Sequence, residues 1–262
     1  MSRPCPRYRQ YEITMFLLPY LCLLITLIIH TSADITPRIY GGVDVPSNLH
    51  KYLVKLINYY NKQSITSYCS GSIINERWII TAAHCFRKDD IILVKVEKPG
   101  AVYLVPTIAT VKKSQVTIYP GYVQYNTSIP NNEKDLALLK TTKRIQFSEY
   151  VQPVKLSRRS ISVGRAVTIA GYGEAEDGLL RPREGSAIVT KCLSKNKSTL
   201  ICTYGSVKAA KGDSGGPLVT EEGLVGVSIT GCVGVRVQKN CHTIYVNVFV
   251  NLDWIEDVTR LN

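Results

Sequence analysis

Gly212-Asp213-Ser214-Gly215-Gly216-Pro217 sets a single serine among glycines and a proline. Glycine neighbours leave the backbone free to take tight turns of positive φ. Such a turn can expose the serine hydroxyl and aim successive N–H groups at one point, as stabilisation of a developing oxyanion requires. Taken alone the pattern is weak, because most glycine-flanked serines are simply turns.

Two upstream segments give it company. In Thr81-Ala82-Ala83-His84-Cys85, small residues follow the apolar run Trp78-Ile79-Ile80, and His84 stands beside a cysteine that can be tethered. Cys69 lies 16 residues before Cys85, and closing that loop is worth ~3 kcal/mol by chain-entropy reasoning. Asp135 opens the run Asp135-Leu136-Ala137-Leu138-Leu139. A carboxylate at the head of an apolar strand is buried and needs a partner. A turn residue or a strand-end cap is the plainer alternative.

Around these segments the chain reads as short β-type runs. They are Tyr52 to Ile57, Trp78 to Ile80, Ile91 to Val96, Leu136 to Leu139, Ala166 to Ala170, Ser186 to Val189, Leu224 to Ile229 and Thr243 to Val248. Runs of this length, rich in Val, Ile and Tyr and punctuated by Gly, Pro and Asn, predict an all-β barrel or sandwich. In the tail, Val250, Trp254, Ile255, Val258 and Leu261 are spaced as on one helix face. The stretch from Ser148 to Ser162, with Pro153, several charges and no β pattern, is the best break between two halves. No internal repeat or low-complexity segment stands out.

The amino-terminal part has a different character. Arg3, Arg7 and Arg9 precede an apolar run from Ile13 to Ile29, and Thr31-Ser32-Ala33 supplies small residues suited to cleavage. That is the layout of a secretory signal. A retained signal anchor is the alternative, since the run approaches the ~20 residues of a spanning helix. Met1 and Met15 both remain as starting points. Export bears on the cysteines. Cys5 and Cys22 fall in the leader, and the six that remain (Cys69, Cys85, Cys192, Cys202, Cys232, Cys241) read as three disulfides. None forms a Cys-x-x-Cys pair, which argues against zinc. Asn126-Thr127-Ser128 and Asn196-Lys197-Ser198 are glycosylation sequons. The formal charge is +12, of which residues 1–38 carry four Arg against Glu12 and Asp34, so the remainder is about +10. No aromatic–basic stripe accompanies that charge, so a soluble basic surface is expected and nucleic acid is not.

Together, the His84 segment, the Asp135 segment and the Ser214 segment, in that order, resemble the chymotrypsin/trypsin-like serine peptidase family. The resemblance covers roughly Ile39 to Asn262. It implies two six-stranded antiparallel β-barrels of the chymotrypsin type, barrel one at about 39–150 and barrel two at about 151–249, with a C-terminal α-helix at about 250–260. Residues 1–33 are then a signal and 34–38 a short activation propeptide. The implied roles are Ser214 as nucleophile, His84 as general base and Asp135 as the group that orients the histidine, with the N–H groups of Gly212 and Ser214 as oxyanion hole. His30, His50 and His242 lack a matching motif.

Arg38-Ile39-Tyr40-Gly41-Gly42 is similar to the family's activation junction, with Tyr40 where valine is commoner. Cleavage after Arg38 frees the Ile39 amine, which the resemblance pairs with Asp213, so the uncleaved chain is expected to have a malformed oxyanion hole. Counting back from Ser214 puts Lys208 at the base of the primary specificity pocket, where trypsin-like members carry aspartate. Ser228-Ile229-Thr230 matches the segment that pairs with substrate backbone, and Thr230 and Thr243 stand where glycines keep the pocket open. The pocket is therefore expected to take small aliphatic residues, or alternatively an acidic side chain reaching Lys208. An upstream trypsin-like protease is then needed for activation. Ala210 stands where the family commonly has a cysteine, which leaves Cys232–Cys241 and Cys192–Cys202 as the expected pairs. No cofactor and no metal are expected. The implied partners are protein or peptide substrates and proteinaceous serine protease inhibitors, the chain is expected to be a monomer, and a membrane enters only if the signal is retained. The competing reading is a protease homologue without activity that binds a partner through its basic face.

Overall fold

A computed structural model of the chain describes residues 39, 42–46, 48–60, 63–86, 91–98, 106–123, 132–173, 181–192, 198–230 and 242–260. Its strands in chain order are β1 (Val43–Asp44), β2 (Leu53–Tyr60), β3 (Gln63–Ile73), β4 (Trp78–Thr81), β5 (Ile91–Glu97), β6 (Thr107–Lys112), β7 (Val116–Ile118), β8 (Ala137–Lys140), β9 (Ala166–Gly171), β10 (Arg183–Thr190), β11 (Leu200–Tyr204), β12 (Pro217–Thr220), β13 (Gly223–Thr230) and β14 (Thr243–Asn247). They form two antiparallel sheets. The first runs β6-β5-β2-β3-β4-β8-β7; the second runs β1-β10-β11-β14-β13-β12-β9 and closes on itself through β9–β10 pairing. The family's two-barrel plan is thus present.

The strand counts depart from six and six for local reasons. In the second barrel six strands close the ring, and β1 is a two-residue addition that pairs with β10 from outside. In the first, a 3-10 turn at Lys113–Gln115 splits one run into β6 and β7. The seam left there is bridged by Thr142 N–H to Thr110 O at 2.9 Å and by their two hydroxyls at 2.8 Å. The segment 148–162 carries no strand. It leaves the first sheet with Val154 N–H to Ile73 O (2.9 Å) and reaches the second with Ser157 N–H to Leu224 O (3.0 Å).

Burial on both strand faces holds the assembly together. One apolar cluster joins the sheets, from Val54, Leu56, Ile73 and Leu138 to Leu224, Val227, Ile229 and Val246. A second fills the interior of the closed barrel with Val167, Ile169, Ile201, Leu218 and Tyr245, and Ile39 is part of it. The helix α1 (Leu252–Arg260) adds Leu252 and Ile255 to the first cluster, with Trp254 and Val258 packed against it. Val250, expected on the apolar face, lies in the preceding 3-10 turn and is 43% exposed. Among the described residues no helix is long and apolar enough to cross a membrane.

Candidate active site

His84 is carried by a 3-10 turn, Ala83–Phe86, directly after β4. Ala82 and Ala83 are fully buried, so the turn sits flush on the core, and the Cys69–Cys85 disulfide ties it to β3. The Asp135 carboxylate, 4% exposed at the entrance to β8, holds the histidine twice. Oδ1 accepts the His84 backbone N–H at 2.8 Å, and Oδ2 accepts the ring Nδ1–H at 2.7 Å. With the proton placed on Nδ1, the Nε2 lone pair is left to act as a base. Two bonds to one carboxylate fix ring position and tautomer together.

The serine turn is built on the other barrel and fastened to the first. Gly212 and Gly215 have φ of 96° and 80°. A Cβ on Gly215 would overlap Thr81 Oγ1 and Ser70 O and come within 3.0 Å of Ala82 N, so only glycine lets the turn approach the strand that leads into His84. Ser214 O accepts Ser70 N–H at 2.8 Å, and Cys85 Sγ lies 3.9 Å from the same oxygen. Ser70 also donates its hydroxyl to Gly212 O (3.0 Å) and accepts Tyr172 N–H (2.9 Å). On the far side Gly215 N–H donates to Ser228 O (2.6 Å), and Ser228 N–H to Gly216 O (2.9 Å). The histidine turn, its carboxylate and the serine turn therefore meet at the seam of the two sheets. Among the described residues no hydrogen bond takes up the N–H of Gly212 or of Ser214.

Asp213 is buried beneath this turn. Its oxygens accept Gly173 N–H at 2.6 Å and Ala210 N–H at 2.8 Å. Burial pushes its pKa up from 3.8 to about 6, while those two N–H groups and the charge of Arg183 act in the opposite direction. Ile39 is fully buried, and its carbonyl accepts Gly42 N–H at 2.7 Å. The two bonds to Asp213 tie down the turn below the serine.

The positions expected to shape specificity lie around the head of β14. Lys208 is 6% exposed, and the neighbouring Ala209 N–H donates to Thr243 Oγ1 at 3.1 Å, which fixes Thr243 at the head of β14. Thr230 pairs with Ile244 across a register shift that begins at Ser228, while Ile229 is buried. The Cys192–Cys202 disulfide is present. Arg38, Tyr40, Cys232, Cys241, the sequon at 126–128 and Asn196 of the other sequon lie outside the described residues. Cys69, His84 and Cys85 bring their ligand atoms within 4.8 Å of one another, but both sulfurs belong to the disulfide, so the group does not suit a metal.

Two contributors carry no mark in the sequence. Ser70 sits in a small-residue stretch, Cys69-Ser70-Gly71-Ser72, with no pattern to single it out. Arg183, 6% exposed, donates to Gly42 O at 2.6 Å and lies 2.9 Å from Asp44 through Nε. A lone arginine in a charged segment gives no signal of burial.

The profile of the Trypsin family matches residues 39–255. Similar proteins include the thrombin-like enzyme gyroxin B1.3 of Crotalus durissus terrificus, 26% identical over 93% of this chain and 96% of that protein. Thrombin-like enzyme AhV_TL-I of Gloydius halys is 29% identical over 86% and 97% of the two chains. A trypsin of Sarcophaga bullata is 28% identical over 87% and 91%. With two β-barrels, a histidine and serine segment meeting at their seam, and a family match spanning both, the chain belongs to the trypsin family of chymotrypsin/trypsin-like serine peptidases and is a serine-type endopeptidase acting on protein substrates.

Proposed function

We propose that Ser214, His84 and Asp135 form the catalytic triad of a secreted endopeptidase activated by cleavage after Arg38. The observation that carries this reading is the double hydrogen bond from His84 to Asp135, with the Ser214 turn locked against the same histidine segment. Ser214 Oγ attacks the scissile carbonyl carbon as His84 Nε2 takes its proton. The carbonyl electrons move to oxygen, where the N–H groups of Gly212 and Ser214 stabilise the charge. Collapse breaks the C–N bond, and His84 returns the proton to the leaving amine. Water, deprotonated by His84, then releases the acyl group and restores the serine.

Residues 1–33 serve as the signal and 34–38 as the propeptide. Cleavage frees the Ile39 amine, whose ammonium pairs with Asp213; the buried, upward-shifted carboxyl is a ready acceptor for that charge. Lys208 disfavours basic residues before the scissile bond, and Thr230 and Thr243 narrow the pocket to small aliphatic side chains. An upstream trypsin-like protease is the activator, proteinaceous inhibitors are natural ligands of the cleft, and the enzyme works as a monomer. The reading of an inactive binding protein gains nothing from this geometry. Organophosphonate labelling of the chain after cleavage at Arg38 tests the triad, with Ser214→Ala as control. Absence of labelling in the cleaved chain rejects it. A peptide library varied before the scissile bond separates aliphatic from acidic preference.

A further inference from the structure

The proposed oxyanion hole uses the N–H groups of Gly212 and Ser214, and a single residue holds the carbonyls of both. Ser70 N–H donates to Ser214 O at 2.8 Å, and Ser70 Oγ donates to Gly212 O at 3.0 Å. Ser70 is fully buried on β3, next to Cys69, whose disulfide fastens the His84 turn. Its own carbonyl accepts the Thr81 hydroxyl at 2.8 Å, from the strand that leads into that turn.

The two holds differ in kind. At Ser214 the tie is made by backbone, and Gly215 adds a second one beside it by donating to Ser228 O at 2.6 Å. At Gly212 the tie is a side chain. Among the described residues the Gly212 carbonyl accepts from the Ser70 hydroxyl alone. Only two soft dihedrals separate the N–H of a residue from its carbonyl, so a fixed carbonyl limits the swing of the N–H. Gly212 needs that limit most, because glycine takes positive φ as readily as negative and here stands at 96°. The hydroxyl has one arrangement open to it. Oγ accepts Tyr172 N–H at 2.9 Å, an N–H can only donate and a carbonyl can only accept, so the hydroxyl proton is directed at Gly212.

We propose that Ser70 is a positioning residue for the reaction, its hydroxyl aiming the Gly212 N–H at the developing oxyanion from a strand that also anchors the histidine turn. The inference rests on the triad and oxyanion reading above and deepens it by adding a residue that never touches the substrate. Loss of the hydroxyl then slows the step that builds negative charge on oxygen. It leaves reagent binding, the His84 base and the number of competent serines unchanged.

The test follows fluorophosphonate labelling of the full chain after treatment with immobilised trypsin, which is then removed. In that reaction Ser214 Oγ bonds to phosphorus, His84 takes the hydroxyl proton, fluoride leaves, and charge grows on the phosphoryl oxygen. Three quantities are read: the end point, the limiting rate at saturating reagent, and the half-saturating concentration. Ser70→Ala should lower the limiting rate by about ten- to a hundredfold, less than the ~10²–10³ for outright removal of an oxyanion donor, because the N–H remains but is no longer held. Half-saturation should stay within about twofold, as expected when an interaction is made only in the transition state. The end point and the pH midpoint of the limiting rate should match the parent. Ser70→Thr keeps a hydroxyl and should recover most of the rate per competent serine, which a packing role would not produce. If Ser70→Ala gives no end-point labelling, Ser70→Gly is held to the same expectation, since it lacks the hydroxyl but leaves room for a water at Tyr172 N–H. The inference is overturned if the variant without the hydroxyl labels as fast as the parent, or if its loss lies in the end point or half-saturation alone. A shifted pH midpoint, or a Thr variant no faster than Ala, overturns it equally. Failure of the parent to label overturns the triad reading instead, and this inference with it.

Discussion

Replacing Asp213 by asparagine in a chain locked against cleavage by Arg38→Gln should change how stability depends on pH, with a sign and size that follow from its surroundings. Burial raises the folded-state pKa of this carboxyl from 3.8 to about 6. A raised pKa means that the folded chain keeps the proton in a range where the unfolded chain has lost it. Stability from this group is full below pH ~4 and declines as pH rises to ~6, because the folded state binds more protons than the unfolded state in that window. A pKa higher by about two, at ~1.4 kcal/mol for each tenfold gain in proton affinity, gives a loss of about 3 kcal/mol across it. Asparagine cannot titrate, so its chain should lack this decline. It also presents an NH2 to one of the N–H groups of Gly173 and Ala210, which adds a destabilisation independent of pH. Urea unfolding of both chains at pH 4, 5, 6 and 7 isolates the effect as a difference, since contributions from other groups cancel when they lie away from the site. The locked parent should be favoured over the variant by about 3 kcal/mol more at pH 4 than at pH 7. A flat difference curve, or one of opposite slope, would refute the burial of the Asp213 carboxylate there.

Other expectations follow from the same contacts. Gly215→Ala forces a side chain onto Thr81 and Ser70 at a φ of 80°, so thermal unfolding should reveal a loss of about 2–4 kcal/mol and labelling of Ser214 should fall sharply in whatever folds. Ser70→Ala strands Tyr172 N–H and Gly212 O, at about 1–3 kcal/mol; kcat should drop more than KM rises, which steady-state kinetics on the cleaved enzyme would read out. Lys208→Asp alone should bring no cleavage after Lys or Arg in a peptide library, whereas the triple change with Thr230→Gly and Thr243→Gly should. Replacing both Cys69 and Cys85 by alanine should lower stability by ~3 kcal/mol in urea titration and loosen the turn that bears His84.

The strands that could be read ahead of the structure were those with dense aliphatic residues, such as β4, β5, β8, β9 and β13. β3 is not legible in this way because Ser and Thr fill it from Gln63 to Ile73, although Ser70 and Ser72 are buried against the neighbouring strands. β12 hides behind the serine motif, since Pro217 reads as the end of a turn rather than the start of a strand. β1 is two residues long and exposed on both, so it exists only through its pairing with β10. In the tail, helical spacing places α1 well but overextends its apolar face to Val250, because a 3-10 turn rotates that residue outward.

Local chemistry was enough to mark the proposed nucleophile, base and carboxylate, because each needs particular neighbours within a few residues: glycines for an open turn, alanines for a buried one, an apolar strand behind an acid. Those constraints are written along the chain. The surroundings of Asp213 are not. Gly171 opposite Arg183, Gly173 and Ala210 on the carboxylate, and Ser70 bridging two barrels are contacts between positions up to 142 residues apart. They arise from strand register and barrel closure, which depend on the summed packing of both sheets rather than on any local run, and so only the folded chain decides them.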